Sequence, residues 1–130
     1  METESYRLLF EKNPLPMWVF DLESLRFLDV NDAAVQKYGY SRPEFLAMTL
    51  GDIGPKEDGP RLREALGSLK PTDRMIGIWR NRKKDGTVFD AEVLSTEVTI
   101  LTRRARLALL NDVTERLRGD RHRATEIGVT

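Results

Sequence analysis

Nucleophilic and metal-binding chemistry has little to work with in this sequence. Of 130 residues none is cysteine and one, His122, is histidine. Without a thiol there is no disulfide, no thiolate nucleophile and no cysteine zinc site. Acyl transfer needs a nucleophile with a base beside it, and a single histidine in a polar tail is poorly placed to serve. The acids Glu57, Asp58, Asp90 and Glu92 are scattered, so neither a raised carboxyl pKa nor a converging metal-ligand set is expected. What recurs instead, at strand and helix positions, is large aromatic side chains: Trp18, Phe20, Phe45, Trp79 and Phe89. Such residues ordinarily fill a core, each burying a large apolar area. The sharper alternative is a small organic ligand held among Trp18, Phe20, Phe45, Trp79, Phe89 and Val93, with Asn81 or Ser95 as a polar anchor.

Positioning those residues requires elements of defined type, and the order of elements is legible. Tyr6, Leu9 and Phe10 recur at helical spacing between Glu4 and Lys12, a helix stopped by Asn13-Pro14-Leu15-Pro16. Met17 to Leu22 reads as a strand, Leu22-Glu23-Ser24-Leu25 as a turn, and Arg26 to Val30 as the returning strand. Asn31 is a natural helix N-cap, with Gly39 as the C-terminal stop. Ser41 and Glu44 form a capping box ahead of Phe45 and Leu46. Asp52 to Pro60 is loop-like, and a further helix over 60–69 carries Leu62, Ala65, Leu66 and Leu69 on one stripe. Three strands follow, over 74–82, 87–100 and 104–111, the first two joined by a tight turn in which Gly86 supplies positive φ. A short helix is expected from Val113. Strands first, small helices in the middle and a three-stranded meander at the end make an α+β order with five antiparallel strands. The space between the middle helices and the sheet is where a small ligand would sit.

Composition bounds the partners. Lysine plus arginine and aspartate plus glutamate number 21 each, so the formal net charge is zero. That balance opposes a general polyanion binder, because phosphate affinity needs surplus cations. The local basic excess, Arg80, Arg82, Lys83 and Lys84 with Arg103, Arg104 and Arg106, reads first as a solvated rim, with a surface for an acidic partner as the alternative. No exposed aromatics interleave with it as a nucleic-acid stacking platform would require. No apolar run approaches the length of a membrane span, and Met1-Glu2-Thr3-Glu4 is no signal peptide, so a cytoplasmic location is expected.

The layout and its motifs together resemble the PAS family over residues 6–117. Asn31 corresponds to the asparagine opening that family's first short helix, Gly39-Tyr40-Ser41 to its small-helix junction, and Trp79 through Gly86 to the strand and hairpin before the long strand. Asp112-Val113-Thr114 corresponds to the exit motif. The resemblance implies a five-stranded antiparallel sheet with a helical side, and three segments: a flanking helix over 1–14, the PAS-like domain over 15–112, and an exit helix with polar tail over 113–130. It implies a non-enzymatic sensory and dimerisation module, working as a homodimer upstream of a histidine kinase or cyclic-dinucleotide enzyme in a larger chain. In this reading Asp112 and Thr114 pin the exit junction by hydrogen bonds, while Tyr6, Leu9 and Phe10 are dimer candidates.

Cofactor subclasses of that family can be tested against residue types. Histidine-ligated haem is disfavoured because His122 lies far along the chain from the pocket elements. A cysteinyl flavin adduct is disfavoured for want of sulfur. A flavin held without a covalent bond is the alternative, and no resident cofactor is the leading expectation.

Overall fold

A computed structural model describes the backbone of residues 2–119 and the side chains of residues 7–119. Helix α1 (Glu2–Lys12) precedes strands β1 (Met17–Asp21) and β2 (Phe27–Val30). The short helices α2 (Asp32–Tyr38) and α3 (Arg42–Leu46) follow, then two 3-10 turns (Leu50–Ile53 and Lys56–Asp58) and α4 (Gly59–Gly67). Strands β3 (Met75–Arg82), β4 (Val88–Ile100) and β5 (Arg103–Asp112) complete one sheet in the order β2-β1-β5-β4-β3, with antiparallel neighbours throughout. Residues 114–119 are helical and lead out of it. The fold is α+β, as the element order implies. The segment expected as loop over 52–60 carries the two 3-10 turns, and β5 runs one residue past Asn111 because Asp112 pairs with Ala91.

One face of the sheet is covered by the helices, and the strand parity assigns residues to it. Along β4, Phe89, Ala91 and Ser95 are buried while Val88, Leu94 and Thr96 face outward. On β5, Ala108 and Leu110 turn inward, and so does Arg106. Trp18, Phe20, Phe27, Tyr38, Phe45 and Phe89 form the centre of the core. Their rings meet mostly edge to face: Trp18 lies 5.1 Å from Phe27, Phe45 5.3 Å from Phe27, and Tyr38 5.3 Å from Phe89. This is the arrangement ring quadrupoles favour.

Asn31 locks the entry to the sheet. It is fully buried, and its amide meets four backbone groups. Oδ1 accepts from the amides of Met17 (2.9 Å) and Ala34 (3.0 Å), and Nδ2 donates to the carbonyls of Phe10 (2.9 Å) and Leu15 (3.0 Å). One side chain thus caps α2 and ties α1 and the proline linker to β1 with no polar atom left over. The capping box at α3 is also formed: Glu44 N donates to Ser41 Oγ and Ser41 N to Glu44 Oε1. That fixes the short helix that delivers Phe45 to the core.

Candidate functional site

Between the sheet and the 3-10 turns with α4 lies a mostly apolar cavity of about 50 Å³. Its floor is Trp18 and Phe20 of β1, Met75, Trp79 and Asn81 of β3, and Val93 and Ser95 of β4. Its roof is the 50–66 segment, chiefly Leu50, Ile53, Pro55, Leu62 and Leu66. Gly54 sets how low that roof sits. A Cβ there would stand 3.3 Å from the carbonyl oxygen of Arg80, so the bare glycine lets the loop rest on β3.

The pocket candidates named from sequence divide into two groups. Trp18, Phe20, Trp79, Asn81, Val93 and Ser95 line this cavity. Phe45 and Phe89 do not; they belong to the aromatic cluster on the far side of Trp18 and Tyr38. Trp79 is half-buried rather than core, and the Arg61 guanidinium lies over its ring at 4.0 Å. Its indole edge passes close to Gly77, where a Cβ would come within 3.3 Å of Nε1.

The polar side chains of the lining are largely engaged with one another and with the sheet. Asn81 is already engaged: Oδ1 accepts from the Tyr38 hydroxyl and Nδ2 donates to the Arg80 carbonyl (2.9 Å). Burial, with Asp112 nearby, raises the Tyr38 pKa well above that of free tyrosine, so this hydroxyl remains protonated and a donor. The indole N–H groups of Trp18 and Trp79 are buried without an acceptor. Asp58 is the acid at the rim, and Arg80 holds it through Nε (3.2 Å) and Nη2 (2.9 Å).

Arg106 is the residue that sequence reasoning misplaced. Its charge suggested the solvated rim, yet it is fully buried behind Ser95. Nε donates to Ser95 Oγ (2.9 Å), and Nη2 to the carbonyls of Asp73 and Ser95 (2.8 Å each). Nη1 has no partner. The parity of β5 was the available signal, because Arg106 alternates in register with the buried Ala108 and Leu110. The rest of the basic group is at the surface and mostly paired: Arg80 with Asp58, Lys84 with Glu44, Arg103 with Asp21, Arg104 with Glu97.

A second arrangement sits at the exit. Thr114 Oγ1 accepts the amide of Asp90 on β4 (2.9 Å), and Val113 N donates to the Asp90 carbonyl (2.9 Å). Asp112 Oδ1 accepts from the Thr114 amide (2.9 Å) and caps the outgoing helix, while its other oxygen pairs with Lys37 of α2. Burial pushes the Asp112 carboxyl upward, but hydrogen bonds from Lys37 and Thr114 outweigh it and hold the pKa at about 2. The exit helix is therefore fastened to both the sheet and the helical side. The Lys37 link was not visible in sequence, since the two residues lie 75 positions apart.

Of the flanking candidates, Leu9 is exposed and Phe10 half-buried; the Tyr6 side chain and all of His122 lie outside the described residues. Among the described residues no cluster of acids or histidine could hold a metal ion, and no helix is long and apolar enough to cross a membrane.

Comparison with known proteins follows the same lines. A family model described as PAS domain matches residues 4–74. The methyl sulfide methyltransferase-associated sensor of Methanosarcina acetivorans is 25% identical over 115 residues, covering 88% of this chain and 12% of its own length. The chain thus spans about an eighth of that curated relative. Among solved structures, the PAS domain of an HTR-like protein from Haloarcula marismortui superposes with a TM-score of 0.76 at 22% identity, over 85% of this chain and 92% of that one. A domain of a sensory box sensor histidine kinase/response regulator from Geobacter sulfurreducens gives 0.73 at 23% identity, over 85% and 94%. An RNA-binding light-oxygen-voltage receptor gives 0.83 at 19% identity, over 97% and 37%. At such identities the likeness to the solved structures is one of fold.

Proposed function

This chain belongs to the PAS domain family, and from that premise we propose that it is a non-enzymatic sensory module relaying the state of its cavity through the exit junction to an effector in a larger protein. The observation that carries this reading is the hydrogen bond from the Asp90 amide to Thr114 Oγ1. Strand β4 contributes Val93 and Ser95 to the cavity and Asp90 to the exit. A shift of the strand at the cavity end is passed along a rigid extended backbone to the first turn of the outgoing helix. The effector class we favour is a histidine kinase or a cyclic-dinucleotide enzyme. The Geobacter protein's name, a sensor histidine kinase/response regulator, supports the first of these, and the Methanosarcina name supports a sensory role.

Relay of this kind works between paired helices, so we read the domain as a homodimer in a cytoplasmic setting. The exposed Leu8 and Leu9 of α1 are the surface for it. The cavity, at about 50 Å³, has room for a handful of waters at about 10–15 Å³ each. A tricyclic flavin or a porphyrin would require the 50–66 roof to lift away, which supports a domain without either. Small-ligand sensing is the second reading, favoured by the unpartnered indole donors. Native mass and absorbance spectra of the gently purified protein test the first reading. A dimeric mass with no absorbance beyond the aromatic band is the expected result. A monomer at every concentration, or a stoichiometric visible chromophore, would overturn it.

A further inference from the structure

The roof of the cavity is fastened differently at its ends and in its middle. At its start the Phe27 amide of β2 donates to the Met48 carbonyl (3.2 Å), and the Leu50 amide to the Leu25 carbonyl (2.8 Å). At its end Nη2 of the fully buried Arg106 donates to the Asp73 carbonyl (2.8 Å). Between those anchors, among the described residues, no backbone group of residues 51–72 bonds to the backbone of a strand. Their backbone bonds close locally instead, Gly54 to Gly51, Asp58 to Pro55 and Ser68 to Glu64 among them.

Side chains hold the middle of the roof to β3. The Arg61 guanidinium lies over the Trp79 ring at 4.0 Å, and its Nη2 donates to the Ile78 carbonyl (3.3 Å). Arg80 reaches the other way, from the sheet to the roof, donating to Asp58 through Nε (3.2 Å) and Nη2 (2.9 Å), with Glu57 at 3.5 Å. Ile53, Leu62 and Leu66 form the apolar underside. With the roof down, a cavity of about 50 Å³ takes only water-sized occupants, at about 10–15 Å³ each. Anything larger has to lift the roof. A segment tied by its backbone only at its two ends opens at lower cost than β4 and β5, which pair along their whole length.

We propose that residues 51–72 are a lid that opens between the Leu50 and Asp73 anchors, latched to β3 by Arg61 and by the pair of Arg80 with Asp58. The lid governs what enters the cavity, and in that use it rests on the cavity being the sensory site. The motion itself stands on the attachments alone. Removing one arginine leaves the apolar underside in place, so the lid opens more often without being lost.

The chain has no cysteine, so a single introduced thiol reports on the lid without background. Val93→Cys places one on the cavity floor, and Met75→Cys is a second reporter should the first fold poorly. The probe is N-ethylmaleimide, which is uncharged and larger than the closed cavity. Labelling should be far slower than for a thiol in the unfolded chain, yet faster than global unfolding allows, with a shallower dependence on denaturant. In the reporter background, Arg80→Gln and Arg61→Gln should each quicken labelling about twofold to fivefold, the range for exposed ion and cation–π pairs. Sodium chloride at about 1 M, where the Debye length is about 3 Å, should quicken it in the reporter and much less in Arg80→Gln. Labelling only as fast as the whole domain unfolds would overturn the lid, and so would labelling at the rate of an unfolded chain. Rates unmoved by both arginine variants and by salt would overturn the latch. Thr114→Val, which leaves the lid untouched, tests the relay separately, so either can fail alone.

Discussion

Thr114→Val isolates the junction on which the functional reading depends. Valine keeps the branched shape of threonine but offers no oxygen to the Asp90 amide, now bonded at 2.9 Å. The helix cap survives, because the Thr114 amide is held by Asp112 rather than by its own side chain. The Asp90 amide is partly buried, so losing its acceptor costs about 1–2 kcal/mol. Were the loss spread over the whole domain, amide exchange would quicken uniformly. The relay account expects it to concentrate at the junction: the Leu117 amide, bonded to the Val113 carbonyl at 2.9 Å, should exchange about tenfold faster for each 1.4 kcal/mol lost. The central pairing of β1 with β5 should change little by comparison. Native-state hydrogen exchange followed by NMR reads both in one experiment. Unchanged protection at Asp90 and Leu117, or equal loss across the sheet, would refute the reasoning.

Other variants probe the surrounding structure. Leu101 turns from β4 to β5 at φ 56° with its side chain 92% exposed, so Leu101→Gly removes left-handed strain without loss of packing and should stabilise by about 0.5–1 kcal/mol, a few degrees in Tm. The Asp112 carboxyl is held at about 2, below the unfolded value near 3.9, so its stabilisation is complete above about pH 4 and fades as the pH falls towards 2. Because that side chain is a third exposed, the contribution is about 1 kcal/mol after allowing for solvent screening. Asp112→Asn keeps the cap, and its stability deficit in denaturant titrations should vanish near pH 2; a deficit independent of pH would remove the Lys37 pair from the account. Phe45→Ala should cost about 3–5 kcal/mol as a buried ring is deleted, whereas Trp79→Phe, at the half-buried cavity wall, should cost about 1 kcal/mol or less; similar losses by calorimetry would contradict the division between core and cavity.

Local signals in the chain carried most of the fold. Asn31, Gly39, Ser41 with Glu44, and Gly86 each act within a few residues of themselves, and each cap or turn expected of them is present. Strand parity puts Phe89 and Ala91 on one face of β4, and both are buried. The candidate site was less legible because it is assembled from distant segments. Nothing near Arg106 in sequence announces that Ser95 and the Asp73 carbonyl will receive its guanidinium, and charge alone argued for the surface. Phe45 and Trp79 look alike as aromatic residues, yet only the packing of the 50–66 roof decides which one borders empty space. The Lys37 to Asp112 pair likewise needs the helical side and the sheet edge to be already in place.

The most direct test of the relay fills the cavity and watches the exit. Val93→Phe adds bulk from β4 into the space beneath Leu62, three residues along that strand from Asp90, whose amide Thr114 holds. Backbone amide shifts of the folded variant should change at the cavity lining, along β4 to Asp90, and at Val113 through Leu117. Changes confined to the cavity lining, with the Asp90 and Leu117 resonances unmoved, would contradict a module whose cavity and exit helix share one strand.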